Sequence, residues 1–272
     1  MRMSPALALL AAVTFFFGFL GYSHPARAWG PDGHRIVCAI AWDELNQRAR
    51  DSVKATIDIE SREQFAESCI WADDYKIAHP ETAPWHMMMV PDDTIRVDMA
   101  RDCAAPKSCV LGQVIAQEEA LTHGGPGADI ALKMLSHLVG DLHEPLNVAR
   151  ASDRNGRDIQ GHYYGREMNL HTVWESGLLA RDGRSWQTIV TELEDDIDAD
   201  DRAAWTATAP IDWANESLTT ALAPTSYYGM QFAPFQYGPN YAHVELPVAL
   251  AGLSRAGVRL GAMLNKALSD TP

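Results

Sequence analysis

One stretch restricts this chain more than any other: His137 to Glu175. It holds His137-Leu138-Val139-Gly140-Asp141 and, further on, His171-Thr172-Val173-Trp174-Glu175, so each half carries a histidine and a carboxylate four residues apart. A helix turns about 100° per residue, which stacks both members of such a pair on one face, a single turn apart. Imidazole nitrogen and carboxylate oxygen both bind zinc at about 2.0–2.2 Å, and a neutral histidine beside an ionised acid is a chelating pair. A lone pair of this kind is most often a surface contact or a core histidine with its partner. Two in one short stretch, with Gly140 offering a close helix contact and Pro145 ending the first helix, describe a packed site for a metal.

The start of the chain predicts export. Arg2 precedes the apolar run Ala6 to Leu20, and Ala26-Arg27-Ala28 places small residues where a signal peptidase reads them. Residues 1–28 are therefore expected to be a signal peptide, and cleavage after Ala28 leaves Trp29 first. The apolar run is short for a membrane span, and no later stretch replaces it, so the expectation is an exported protein, periplasmic or secreted, with no stable membrane insertion. Residues 29–272 can bury a core as one domain, with no internal repeat or low-complexity linker to divide them.

The net charge of −14 moves to −16 when Arg2 and Arg27 leave. Such a surface repels polyanions, and no basic run exists to neutralise the phosphates of a duplex, so duplex-specific binding is not expected. Any phosphate handled here needs metal cations for its positive partner. Four cysteines follow the leader, suited to a compartment where disulfides persist. Cys103 and Cys109 flank a short loop that closes easily; Cys38 and Cys69 pair by exclusion or remain buried thiols.

Read in order, Gly30-Pro31 leads into a periodic run, Ile36, Val37, Ile40, Ala41 and Leu45, with His34 at its start. The segment Ile70 to Lys76 presents Asp73 and Asp74, which alone would be a solvated helix face. Pro84-Trp85-His86-Met87-Met88-Met89-Val90-Pro91 is apolar and expected to be extended, holding His86 among large side chains. Helical periodicity covers Val110 to Leu121, Asp129 to Leu142, Leu170 to Leu179, Ile211 to Leu222 and Leu246 to Leu268. The acidic run Glu192 to Asp201 reads as a solvated helix end and linker. Strand signals are sparse. The expected fold is all-α, a single mainly helical domain with a short irregular or β-hairpin excursion near 150–168.

Taken together, Trp29, His34, Asp73, His86, His137, Asp141, His171 and Glu175 resemble the zinc-dependent single-strand-specific nucleases, the type I nucleases, and more distantly bacterial zinc phospholipase C. The resemblance spans essentially all of 29–272. It includes Trp29-Gly30, Trp71-Ala72-Asp73, the Cys103 to Cys109 loop, Pro145-Leu146, Asn169-Leu170-His171, Trp213 to Ser217 and Ala256 to Leu260. It implies three zinc ions. Asp141 would bridge two of them, one completed by Asp73, His86 and His137, the other by His34 and the terminal amine and carbonyl of Trp29. Asn147, His171 and Glu175 would hold the third. Signal cleavage then has a chemical meaning, since an amine inside a peptide bond has no basic lone pair to donate.

The implied activity is hydrolysis of single-stranded DNA or RNA to 5′-phosphorylated products, and of 3′-nucleotides. Water activated between the paired zincs would attack phosphorus in line, oriented by Asp73, while the third zinc neutralises the departing 3′ oxygen. Four departures from the family pattern qualify this. Asn147 replaces a histidine with a poorer zinc ligand, which predicts a weak third site; His162, in the expected hairpin, is a further candidate donor without a ligand role in the family. Glu175 stands where most of these nucleases have aspartate, although the phospholipase relative uses glutamate there. Lys76 replaces an arginine, keeping charge and losing its fork. Met87 and Met89 occupy base-stacking and base-reading positions, while Asn169 of that pocket is retained. Two alternatives follow: a phospholipase-like phosphoesterase, favoured by Glu175 and the methionines, and a degenerate zinc-binding protein, favoured by Asn147.

Overall fold

The computed structural model describes residues 29–103, 105, 107–226 and 235–269. The expected leader lies outside the described residues. The helices are α1 (Pro31–Asp43), α2 (Gln47–Ile57), α3 (Arg62–Ser68), α4 (Trp71–Ala78), α5 (Met99–Asp102), α6 (Val110–His123), α7 (Ala128–Leu142), α8 (Leu170–Thr172), α9 (Leu178–Asp182), α10 (Trp186–Asp196), α11 (Ala199–Thr206), α12 (Pro210–Ala221) and α13 (Pro239–Ala267). Short 3-10 turns occupy Pro80–His86 and Pro145–Asn147, and a π-helical turn, Val173–Gly177, joins α8 to α9. The domain is mainly helical, as the sequence predicts, and no helix among the described residues is long and apolar enough to cross a membrane.

The centre is α7. From Ala131 to Leu142 every residue but Lys133 is buried, because apolar side chains fall on all sides of this helix while His137 and Asp141 share one. It packs antiparallel on α6 across Gly124-Gly125-Pro126-Gly127, a break in which Gly124, Gly125 and Gly127 adopt positive φ. α1 lies on α7 and α13. Its contact with α13 is close: a Cβ on Gly257 would sit 2.5 Å from Ile40 Cβ, so only glycine admits the packing.

Two small sheets bound the site. β1 (Met88–Val90) pairs in parallel with β2 (Val148–Arg150), Met88 opposite Val148. β3 (Gln160–Tyr163) is antiparallel to β4 (Arg166–Asn169) and parallel to β5 (Phe235–Tyr237). Tyr164 and Gly165 both take positive φ between β3 and β4, which is the two-residue turn that follows the twist of a hairpin. The expected hairpin is therefore present.

Local differences have physical reasons. The segment expected to be extended begins within a 3-10 turn, since Pro80 and Pro84 fix φ near −65°, and only Met88–Val90 is strand. The acidic run is not a linker: Asp198 caps α11 by accepting from Asp201 N at 2.8 Å, and only Ile197 and Asp198 separate the two helices. The last helix starts before Leu246, with Pro247 inside it. Cys38 and Cys69 form a disulfide, as do Cys103 and Cys109.

Gly257→Ala should force α1 and α13 apart. Denaturant unfolding is expected to show a loss of about 1–3 kcal/mol, the usual cost of overpacking; unchanged stability would mean that the helices separate freely.

Candidate metal centre

Four side chains from three helices and a turn meet around Asp141. His34 comes from the first turn of α1, Asp73 from α4, His86 from the end of the 3-10 turn before β1, and His137 with Asp141 from α7. All are buried. The two oxygens of Asp141 face different partners: Oδ1 lies 3.4 Å from His34 Nε2, while Oδ2 lies 2.8 Å from His86 Nδ1 and 3.3 Å from His137 Nε2. Asp73 Oδ1 is 3.9 Å from His137 Nε2 and accepts from Lys76 Nζ at 2.8 Å. Gly140 makes room, since a Cβ there would lie 3.0 Å from His34 Nδ1.

The outer contacts fix ring orientations. His137 Nδ1 donates to Cys69 O at 2.7 Å, which turns the Nε2 lone pair toward Asp141. Cys69 is itself held to α1 through Cys38. The His34 ring stacks on His137, centroids 3.8 Å apart.

Electrostatics favour neutral His34 and His86 rings beside ionised acids. Burial, with His137 alongside, drives His34 down to about 3. Burial also lowers His86 despite its bond to Asp141. For Asp141 burial works upward, but His137 and His86 hold it well below the usual carboxylate range. Asp73 is lowered too: against burial stand His137 and Lys76. His137 moves upward, because Asp141 and Asp73 outweigh its desolvation.

This arrangement fits metal ions. Both His34 nitrogens, His86 Nε2 and Asp141 Oδ1 are buried without a hydrogen-bond partner among the described residues, a costly state that coordination relieves. His34, Asp73 and His137 form one candidate three-donor group, and His86, His137 and Asp141 another. Trp29, fully buried, is tied nearby: the next residue, Gly30, donates its N–H to Glu175 O at 2.6 Å.

The remaining expected ligands are arranged differently. His171 Nδ1 donates to Asn155 O at 2.9 Å, yet its Nε2 accepts from Arg157 Nη2 at 2.8 Å. Asn147 Nδ2 donates to Asp141 O at 3.1 Å, and its oxygen has no hydrogen-bond partner among the described residues. Glu175 sits in the π-helical turn, so the second His-x3-acid pair is not on a regular α-helix. A cage for a third ion does not fit a histidine whose inward nitrogen already faces a guanidinium. His162, on β3 opposite Glu167, belongs to neither candidate group.

Of the expected base-binding residues, Met87 is half-buried beside Arg157, its sulfur 3.9 Å from Nη1, and Met89 is exposed on β1. Asn169 caps α8, its Oδ1 accepting from Thr172 N at 2.8 Å and from Thr172 Oγ1. Sequence reasoning missed Arg157 and Glu144. Glu144 is fully buried, and burial pushes it up to about 8. The available signals were a glutamate beside the buried helix end at Pro145, and an arginine following the turn pair Asn155-Gly156.

A helical domain in which buried histidines converge on a buried carboxylate offers candidate groups for metal binding. A family model described as S1/P1 Nuclease matches residues 29–269, and the chain belongs to that family. It is 28% identical to Endonuclease 2 of Arabidopsis thaliana, over 91% of this chain and 93% of that protein. Endonuclease 3 of the same plant is 29% identical over 90% of each, and Nuclease S1 of Aspergillus oryzae 27% identical over 64% and 61%. The chain is a nuclease by family, a hydrolase of phosphodiester bonds.

Glu144 gives a pH signature. Below its ordinary pKa of 4.5 the carboxyl is protonated in both states; between there and about 8 the unfolded chain ionises and the folded one does not, so stability falls as pH rises. Glu144→Gln removes that fall. Denaturation should show the variant gaining on the parent between pH 5 and pH 8, whereas parallel profiles would place the ionised carboxylate in the native state.

Proposed function

We propose that the protein is an exported zinc-dependent endonuclease that cuts single-stranded nucleic acid to 5′-phosphorylated products and also hydrolyses 3′-nucleotides. The observation that carries this is Asp141, whose two oxygens face different histidines in a chain of the S1/P1 nuclease family. Asp73, His86, His137 and Asp141 would hold one zinc, and Asp141, His34 and the freed amine and carbonyl of Trp29 the other. Zinc so bound supplies hydroxide near neutral pH and neutralises charge on phosphate.

The chain's own groups do the rest. Asp141 holds the two binding positions together and the Cys69 carbonyl keeps His137 in the tautomer that presents Nε2 inward. Asp73, ionised and paired with Lys76, is placed to accept a hydrogen bond from the attacking water. Lys76 stays beside it as a compact charge for phosphate. Met87 and exposed Met89 offer apolar surface for a base, without the π face of an aromatic ring.

The deciding measurement is zinc content together with cleavage of a single-stranded oligonucleotide by protein beginning at Trp29. Bound zinc, 5′-phosphate ends and loss of activity in chelator are expected; cleavage indifferent to chelator, or no cleavage by the zinc-loaded protein, would overturn the reading.

Two outcomes are specific to this chain. Because Trp29 is buried and its neighbour is bonded to Glu175, added residues before Trp29 should cost one zinc and at least about 100-fold in turnover, set against full occupancy and rate if Trp29 only packs. With an acidic surface and a recessed centre, single strands should be cut faster than duplex at equal salt; equal rates would show that neither feature governs access.

A further inference from the structure

We propose that Arg157 is the built-in cation of the third position: its guanidinium takes the place of a metal ion and binds a phosphate of the substrate. The inference rests on the nuclease reading for its substrate and on geometry for its placement.

The loop that presents Arg157 is unusual. Arg154, Asn155 and Gly156 all have positive φ, a conformation that costs a non-glycine residue about 1–2 kcal/mol. It is held from several sides. Asn155 N donates to Arg150 O at 2.9 Å, Asn155 Nδ2 to Met88 O at 3.3 Å, and Gly156 N to Asp153 Oδ1 at 2.8 Å. The result converges on one side chain: the loop gives His171 a carbonyl for Nδ1 and a guanidinium for Nε2. A histidine that donates from Nδ1 has one lone pair left, on Nε2, and that pair serves a metal or a donor but not both.

The Glu175 carboxyl favours the charge of the guanidinium, as Glu144 does once ionised, while burial, the larger effect, and nearby Arg154 oppose it. A divalent ion on the same nitrogen would have to displace Arg157 and sit beside it against like-charge repulsion. Asn147 removes a further ligand, its amide directed to the Asp141 carbonyl.

The same guanidinium meets Met87, which the resemblance puts at a base-stacking position. Nη1 donates to Arg154 O at 3.2 Å and touches the sulfur of half-buried Met87. Those contacts and the bond to His171 leave Nε–H and one Nη2–H of the five donors without a partner among the described residues. Two such donors on one planar group match two oxygens of a phosphate.

The test counts metal and measures phosphate separately. Calorimetric titration of the protein beginning at Trp29 should give two tight zincs and no third of similar affinity. Arg157→Gln, which keeps a donor for His171 but no charge, should retain both zincs and bind inorganic phosphate about 10–100-fold more weakly. Asn147→His combined with Arg157→Ala should bind a third tight zinc. If the parent binds three equally tight zincs, or Arg157→Gln holds phosphate as well as the parent does, the proposal fails. Arg157→Lys, which keeps charge and loses the fork, gives the same comparison should the glutamine variant not fold. The two readings fail separately: a parent that cuts single strands with three zincs overturns the role of Arg157 alone. One that holds two zincs and binds phosphate through Arg157 but cuts no nucleic acid overturns the nuclease reading alone.

Discussion

The Asp141 carboxylate is sealed from solvent, and the imidazoles of His137 and His86 hold it ionised. A lone charge at that depth would be driven to take up a proton; surrounded as it is, it becomes the point to which α1, α4, α7 and the turn before β1 are tied. Each of those elements has its own apolar reason to pack. The centre adds a requirement that they pack in one register, because His34 must meet one oxygen while His86 and His137 meet the other. Gly140 records that requirement in the sequence, one residue before the carboxylate it serves.

The sequence disclosed the centre unevenly, for reasons that lie in range. His137 and Asp141 stand one helical turn apart, so local spacing alone exposes them. His34 and His86 are single histidines beside apolar residues, and nothing local separates them from core histidines; they were legible only through resemblance across the whole chain. Glu175 had the right spacing, but the chain there is π-helical. The small sheets escaped because three-residue strands carry too little alternation to register, apart from the hairpin, whose turn residues are explicit. Arg157 escaped because its role depends on a loop whose backbone is set by contacts with β1 and β2, far from it in sequence.

Charge is distributed in an order that suits work on phosphate. The exterior is acidic overall, while Lys76 and Arg157 are held close to the histidine cluster. Affinity for a polyanion then cannot come from a broad basic face and must come from the centre itself. On the proposed reading single strands are preferred because an unpaired segment bends toward a buried centre more easily than a rigid duplex does.

The link between Cys38 and Cys69 bears on when such an enzyme becomes dangerous. It closes a loop of 31 residues, a constraint on the unfolded chain of about 3–4 kcal/mol, and it joins the helix carrying His34 to the carbonyl that sets the His137 ring. In a reducing cytosol that link does not form. A newly made chain there lacks the tie between two of the elements that carry its candidate metal ligands, beside the transcripts and genome of the cell that made it. The two elements are joined covalently only after a change of surroundings, by oxidation.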